Sequence, residues 1–207
     1  MILKYKYFYY TKGISEKDCN KILAFSENRP QEKGVINPSG FKQRGIRTMD
    51  PKTQQARKCT ISWVNETWIY DLLNPFIHQA NYTGGWNFQW DWNESCQITI
   101  YTKGGYYDWH ADQHDNAEMY KDKSINFNNK IRKLSLTLQL TESSKYEGGD
   151  FQFQWLDRDK IKITTVKKAR ELGTVIIFPS FMWHRITPIT KGTRRSLVNW
   201  SIGKPFI

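Results

Sequence analysis

Cysteine is scarce in this sequence, which has only Cys19, Cys59 and Cys96 among its 207 residues. The three are an odd number, lie far apart and have none of the spacings of a metal-binding motif. They argue against a disulfide framework and a cysteine-based zinc site, and they are typical of reduced, buried thiols in a reducing compartment.

Long apolar segments are absent as well. No run approaches the roughly 20 apolar residues that a membrane-spanning helix requires. The first residues, MILKYKYFYYTKG, lack the apolar core of a signal peptide. These two absences predict a cytoplasmic protein that does not interact with membranes.

Acidic residues are the minority among the charged ones, because 31 Lys and Arg face 20 Asp and Glu and give a net charge of +11. A basic surface attracts anionic partners such as acidic proteins, and nucleic acid is not excluded. The charge identifies no partner, however, and an ordinary solvated basic surface is the simpler explanation.

Aromatic residues are abundant, at 15% of the chain. They provide for a packed interior and argue against disorder, and the chain length is that of one domain. We therefore expect a single domain over residues 1–207, with a supporting part at about 1–95 and a core at about 96–203.

Two amphipathic segments in the first half predict helices. The first has an N-cap at Ser15 and a capping-box acid at Asp18. The second is predicted to use Asn65 as its N-cap, to end near Ala80, and to kink or split at Pro75. Both are expected to support a sheet rather than to carry chemistry.

Strand signals dominate from Trp86 onwards, as short alternating or apolar segments between Gly, Pro, Asn and Asp residues. The predicted strands, with earlier ones at residues 3–10 and 60–64, are residues 87–92, 96–101, 134–140, 150–155, 160–164, 174–178 and 196–202. This pattern predicts a mainly β fold with supporting helices (α+β). Its core would be a double-stranded β-helix, or jelly roll, with the N-terminal helices packed on one sheet.

Two histidines and one aspartate have the spacing of a metal site. His110 and Asp112 lie two residues apart, so on a strand they share one face, and His184 is a third candidate far downstream. Two histidines with one carboxylate form the facial triad that binds non-haem Fe(II) and leaves coordination positions open. His114 would continue the same face and is the alternative ligand. His78, in the second predicted helix, has no partner at ligand spacing and is expected to be structural.

A cation and a hydroxyl follow on the last predicted strand. Arg194 and Ser196 share a face with Val198 and Trp200, while Arg195 points the other way as a surface charge. A guanidinium can bind a carboxylate through two hydrogen bonds. An unpaired arginine inside a barrel would be costly, so this pair predicts a site for an anionic ligand.

In combination, these residues resemble the signature of the 2-oxoglutarate/Fe(II)-dependent dioxygenases, in their prolyl-4-hydroxylase-like branch. The resemblance extends over about residues 95–203. It includes Tyr101, Gly104 and Tyr107 before His110, and then Gly148, Gly149, Phe178 and Pro179 before His184.

The resemblance implies a complete set of binding residues. Fe(II) would be bound by His110, Asp112 and His184, and 2-oxoglutarate by Arg194, Ser196 and Tyr101. It also implies O2 as a co-substrate and ascorbate as a further cofactor, with conversion of the oxoacid to succinate and CO2 as a C–H bond is hydroxylated. Because iron and the oxoacid carry that chemistry, no catalytic residue beyond the metal ligands is required.

The resemblance favours a prolyl residue of a peptide or protein as substrate, and the basic surface would suit an acidic one. Tyr107, Trp109, Tyr120 and Trp183 are candidates for the substrate pocket because they flank the ligands or the loop that follows. Residues 29–58 and 113–130 are either lids over that pocket or surface loops.

Other functions stay open. The substrate could be a free amino acid or another small molecule, or the reaction could be N-demethylation of nucleic acid. The demethylases have further arginines after the oxoacid arginine, and the last residues, SLVNWSIGKPFI, supply none. An inactive barrel that only binds is the non-enzyme alternative, and the intact ligand positions argue against it.

Overall fold

The computed structural model of the protein describes residues 3–34, 56–113, 120 and 124–206. These ranges contain the helices α1 (Glu16–Glu27) and α2 (Thr67–Thr83), and short 3-10 turns at Ser143–Lys145 and Lys167–Arg170. The strands are β1 (Phe8–Tyr10), β2 (Glu32–Lys33), β3 (Arg57–Lys58), β4 (Thr60–Val64), β5 (Trp92–Asn93), β6 (Cys96–Tyr101), β7 (Tyr106–His110), β8 (Ile131–Gln139), β9 (Tyr146–Gly148), β10 (Phe151–Asp157), β11 (Lys160–Thr165), β12 (Val175–Pro179), β13 (Trp183–Ile186), β14 (Ile189–Gly192) and β15 (Arg194–Gly203). The lid predictions fall largely outside the described residues, and His114 lies outside them entirely.

The strands form two main antiparallel sheets. The major sheet has the order β1-β12-β8-β15-β6-β4-β2, with β5 paired to β15, and the minor sheet has the order β11-β10-β13-β7-β3. Strands β9 and β14 form a separate pair. A cavity between the two main sheets is lined by residues of both. The predicted mainly β jelly-roll fold is thereby confirmed.

Alternation along β8 shows how the sequence divides the two faces of the major sheet. Leu134, Leu136 and Leu138 are buried in one cluster with the inward side chains of α1 and α2. Removing this apolar surface from water stabilises the helices on the sheet. Ser135 and Thr137 are buried on the opposite face, towards the cavity. The helices therefore cover the outer face, as predicted, and β8 presents polar side chains to the inner face.

The helix boundaries differ in part from the prediction. Ser15 caps α1 and its Oγ accepts a hydrogen bond from the Asp18 amide at 3.1 Å, as the capping box predicts. The prediction of Asn65 as the cap of α2 was wrong, because the helix begins later and Glu66 is its N-cap residue. Pro75 was predicted to kink or split α2, and the split was wrong, since α2 is continuous through Pro75.

Two strand predictions also need correction. Residues 87–92 were expected to form a strand, but only β5 forms there, at the end of that stretch. The short strand β13 was not predicted, although it carries His184. Its neighbours in the sheet, β10 and β7, supply the pairing that its four residues could not specify alone. Among the described helices, none is long and apolar enough to cross a membrane.

Candidate functional site

Tertiary pairing brings the three predicted metal ligands together. His110 at the end of β7 lies directly opposite His184 on β13, and their ring centroids are 4.1 Å apart. Asp112 follows two residues after the end of β7, with its carboxylate oxygens 3.8 Å from Nε2 of His110 and 3.8 Å from Nε2 of His184. One ligand atom from each of the three lies within 4.8 Å of the others, a separation that one metal ion could bridge.

Backbone carbonyls set the tautomer of both imidazoles. Nδ1 of His110 lies 2.7 Å from the carbonyl oxygen of Asp108, and Nδ1 of His184 lies 2.9 Å from that of Met182. A carbonyl oxygen only accepts hydrogen bonds, so each Nδ1 carries the proton. The Nε2 lone pairs are left free beside Asp112, which is the arrangement that a metal ion requires.

Asp112 is a buried carboxylate held by Ser135, whose hydroxyl donates to Oδ2 at 2.6 Å. Burial alone would raise the pKa of Asp112, but the imidazoles of His184 and His110, the Arg132 guanidinium and the Ser135 hydrogen bond lower it to about 2. The carboxylate is therefore ionised at neutral pH.

His110 is kept neutral by its surroundings. Burial lowers its pKa well below the ordinary value of 6.5, and the nearby His184 lowers it further. Neutral imidazole is the form that binds metal. The site is thus ready to bind a divalent cation without first losing a proton from His110.

The metal-free protein should lose stability as the pH falls below about 6.5. The unfolded chain then takes up a proton at His110, whereas the folded chain does not until the pH reaches its lowered pKa. The stability is fully present above 6.5 and is lost on going down to that pKa. Urea unfolding in EDTA at about pH 7.5 and 5.5 measures the loss. A His110→Gln variant should show a weaker pH dependence, and equal dependence in the two proteins would contradict this role of His110.

Arg194 and its neighbours line the cavity, whose volume is about 470 Å³. Arg194 is 2% exposed, lies opposite Tyr101 in the sheet, and donates from Nη1 to Ser196 Oγ at 3.2 Å. Within the described residues it has no carboxylate partner at 4 Å or less. Burial raises the pKa of Tyr101, so its hydroxyl stays protonated and can donate. A cation and two hydroxyls thus line the cavity and form a site that is suited to binding an anion.

The four aromatic candidates for a substrate pocket separate in the structure. Tyr107 lines the cavity and stacks on His110, with ring centroids 3.5 Å apart. Trp109, Tyr120 and Trp183 are not among the residues that line it. Trp183 is 43% exposed, and Tyr120 donates its hydroxyl to Glu94 at 2.6 Å.

A β-bulge explains why Tyr107 and Trp109 separate. His110 pairs with His184 and Tyr107 pairs with Ile186, so β7 has one residue more than β13 over this stretch. The extra residue places Tyr107 on the face of His110. Trp109, next to His110 in the strand, faces the other side by ordinary alternation, towards the Arg185 guanidinium, whose carbon lies 4.5 Å from the ring centroid.

Several cavity residues were not identified from the sequence. Arg132 is one of them. It lies 3.9 Å above the Trp200 ring and makes two hydrogen bonds to Glu94, at 2.6 and 2.7 Å. Arg57 is another, on the short strand β3. Ser135 and Thr137 had a detectable signal, because the leucine alternation of β8 places both on the inner face.

Comparison with known proteins agrees with this geometry. The family model for the 2OG-Fe(II) oxygenase superfamily matches residues 96–202, which include all three candidate ligands and Arg194. The chain belongs to the 2OG-Fe(II) oxygenase superfamily. The matched segment contains β6 to β14 and most of β15, and it supplies most of the residues that line the cavity.

The curated relatives resemble only part of the chain. A PKHD-type hydroxylase of Synechococcus sp. (strain CC9311) is 37% identical over 98 residues, which are 47% of this chain and 37% of that protein. A PKHD-type hydroxylase of Gloeothece citriformis (strain PCC 7424) is 37% identical over 67 residues, or 32% of this chain and 28% of that protein. The chain thus spans about a third of the length of the curated relatives it matches.

Solved structures share the fold over nearly the whole chain. A prolyl-4-hydroxylase of Pseudomonas putida superposes with a TM-score of 0.62 at 16% identity, covering 96% of this chain and 92% of that one. A prolyl hydroxylase of Trichoplax adhaerens, in complex with a hypoxia inducible factor peptide fragment, superposes with a TM-score of 0.65 at 14% identity. It covers 96% of this chain and 84% of that one. The fold is therefore that of a prolyl-4-hydroxylase-like oxygenase.

The donor set of the oxygenase fits the metal and the co-substrate of its superfamily. Two imidazoles with free Nε2 atoms and one ionised carboxylate form a facial triad for Fe(II). Arg194, buried without a carboxylate partner among the described residues, fits a dianionic oxoacid such as 2-oxoglutarate.

Proposed function

We propose that this oxygenase uses Fe(II), 2-oxoglutarate and O2 to hydroxylate a prolyl residue of a peptide or protein, with release of succinate and CO2. The observation that carries the proposal is the coexistence of two sites in one cavity. One is the triad His110, Asp112 and His184, and the other is the buried Arg194 with Ser196, where Arg194 has no carboxylate partner among the described residues.

Each of these residues has a defined task in the proposal. The triad would hold Fe(II), and Arg194, with Ser196 and Tyr101, would hold the far carboxylate of 2-oxoglutarate. Bound iron and oxoacid supply the oxidising chemistry that inserts one oxygen atom into a C–H bond. The chain orients the two through fixed hydrogen bonds and surrounds them with buried aromatic rings that exclude water.

The choice of a prolyl substrate is supported by the names of similar proteins. Prolyl hydroxylases share the fold, and the neighbour from Trichoplax adhaerens has a peptide bound. The net charge of +11 favours an acidic peptide. We further propose ascorbate as the reductant that keeps the iron ferrous, and the cytoplasm as the compartment.

Ser135 should tune the metal affinity through Asp112. A Ser135→Ala variant removes the hydrogen bond to Oδ2, and we expect Fe(II) binding to weaken about 10- to 100-fold. Anaerobic Fe(II) titration measures this. Ser62→Ala is the matched control, because Ser62 is equally buried but lies on the outer face of the same sheet. If Ser135→Ala binds Fe(II) like Ser62→Ala, the hydrogen bond does not orient the ligand.

The function is tested by incubating the purified protein with Fe(II), 2-oxoglutarate, ascorbate and O2, with and without a library of proline-containing peptides. Succinate that rises with particular peptides, together with one added oxygen atom on proline by mass spectrometry, is the expected result. Succinate formation that no peptide accelerates would overturn the prolyl substrate and direct the search to amino acids and nucleic acid. Absence of both Fe(II) binding and succinate formation would overturn the proposal that the protein is an enzyme.

A further inference from the structure

One half-buried cation in the cavity, Arg57, has no role in the proposed function. Arg57 lies on β3 directly opposite Tyr107 of β7, and its side chain lines the cavity. Its guanidinium carbon lies 4.6 Å from the centroid of the Tyr107 ring, which in turn stacks on His110. Arg57 is thus two stacked layers away from a candidate metal ligand.

Arg57 is held in place without being neutralised. Its Nε donates to Cys59 Sγ at 3.0 Å, a weak acceptor, and Tyr107 supports one face of the guanidinium. Within the described residues no carboxylate lies within 4 Å of it. Glu32, an exposed carboxylate that also lines the cavity, accepts instead from Trp63 Nε1 at 2.7 Å.

The other charged side chains that are withdrawn from solvent in the described part of the cavity each have a partner or a proposed role. Arg132 is paired with Glu94 by two hydrogen bonds. Asp112 belongs to the triad, and Arg194 has the oxoacid carboxylate in the proposed function. Among the described residues that line the cavity, Arg57 is therefore the half-buried cation that remains, and a guanidinium partly removed from water is stabilised when an anion binds to it.

We propose that Arg57 is a substrate-binding residue whose guanidinium binds a carboxylate carried by the substrate. The proposal rests on the proposed function, because it takes the Arg194 end of the cavity to be filled by 2-oxoglutarate. Consecutive Cα atoms are about 3.8 Å apart, so an acidic residue next to the reacting one can reach Arg57. The carboxylate is either an acidic side chain beside the reacting residue or the free α-carboxylate of a small substrate.

Binding of matched probes tests the proposal. The protein is loaded with Mn(II) and N-oxalylglycine, a non-reacting analogue of the oxoacid, and calorimetry measures its affinity for three pairs of compounds. The pairs are acetyl-Pro-Glu-amide and acetyl-Pro-Gln-amide, acetyl-Glu-Pro-amide and acetyl-Gln-Pro-amide, and acetyl-proline and acetyl-proline amide. The first two pairs report a side-chain carboxylate, and the third reports a free α-carboxylate.

The wild type should bind at least one carboxylate probe about tenfold more tightly than its amide partner, as expected for a charge-assisted hydrogen-bonded pair. Arg57→Gln should bind the two partners equally, and Arg57→Lys should keep a reduced preference because it retains the charge but not the planar fork. Arg185→Gln is the matched control, because Arg185 also stacks on an aromatic ring of the minor sheet but does not line the cavity. It should keep the full preference.

Several results would overturn the proposal. One is that the wild type binds the carboxylate and amide partners equally, or binds neither detectably, in all three pairs. Another is that Arg57→Gln keeps the full preference for the carboxylate partner. The third is that Arg185→Gln loses this preference. If Arg57→Gln does not fold, a full preference in Arg57→Lys has the same meaning. A loss of N-oxalylglycine affinity in Arg57→Gln as large as that in Arg194→Ala would place Arg57 in the oxoacid site instead.

A separate assay tests the proposed function independently of the role of Arg57. The same probes are incubated with the Fe(II) protein, 2-oxoglutarate and O2, and oxygen insertion is followed by mass spectrometry. A carboxylate preference that depends on Arg57, without oxygen on proline, would contradict prolyl hydroxylation and leave the role of Arg57 in place.

Discussion

An Asp112→Ala variant should lose Fe(II)-dependent succinate formation. The substitution leaves two imidazoles and no anion, so the site loses one ligand and its negative charge together. Substituting a residue that only hydrogen-bonds to a metal ligand lowers metal affinity about 10- to 100-fold. Loss of the ligand Asp112 itself should lower Fe(II) affinity by more than this. Anaerobic Fe(II) titration and a succinate assay measure the two effects.

The fold of this variant should remain intact. Asp112 lies in a bend after β7 and takes no part in the strand pairing of the two sheets. Removing it also removes the need to bury a carboxylate. Asp157→Ala, a change at an exposed carboxylate at the end of β10, is the matched control and should behave like the wild type. Full activity of a well-folded Asp112→Ala protein would remove the metal assignment.

An Arg194→Ala variant should lose affinity for 2-oxoglutarate rather than for Fe(II). The buried guanidinium would form a charge-assisted pair with the oxoacid, so its removal should cost about 2 to 3 kcal/mol, or roughly 30- to 150-fold in affinity. The 2-oxoglutarate concentration that gives half-maximal succinate formation measures this. N-oxalylglycine should compete with 2-oxoglutarate in the wild type.

Arg195→Ala is the control for this change, because Arg195 follows Arg194 on the same strand and faces the other side of the sheet. It should keep the affinity of the wild type for 2-oxoglutarate. If Arg195→Ala loses affinity for 2-oxoglutarate and Arg194→Ala does not, Arg195 rather than Arg194 binds the oxoacid. Arg194→Lys should lie between wild type and Arg194→Ala, since an ammonium keeps the charge but not the bidentate geometry.

The class of fold could be predicted because local sequence patterns indicate strands and helices without knowledge of tertiary contacts. The alternation of Leu134, Leu136 and Leu138 with polar residues indicates a strand with one apolar face, whatever the rest of the chain does. The cap of α1 at Ser15 is equally local. Strand β13 has only four residues and was missed, because its pairing partners lie more than 25 residues away along the chain.

The residues of the candidate site could be predicted as types and spacings. The residues of each pair, His110 with Asp112 and Arg194 with Ser196, lie two apart and would share one face of a strand. The resemblance to a known family then linked them to His184. The strand actually ends at His110, so strand geometry alone does not place Asp112. The hydrogen bond from Ser135 supplies the missing orientation.

A mainly β fold, the chemistry of the triad and the inward face of the last strand follow from local sequence, because they depend on residue type and on the two-residue period of a strand. Tertiary pairing, in contrast, sets which aromatic ring lies against the metal site and which cations share the cavity. A one-residue bulge in β7 places Tyr107 on the same face as His110. Pairing of β3 with β7 brings Arg57 over Tyr107. Both depend on register between distant strands, which local sequence patterns do not encode.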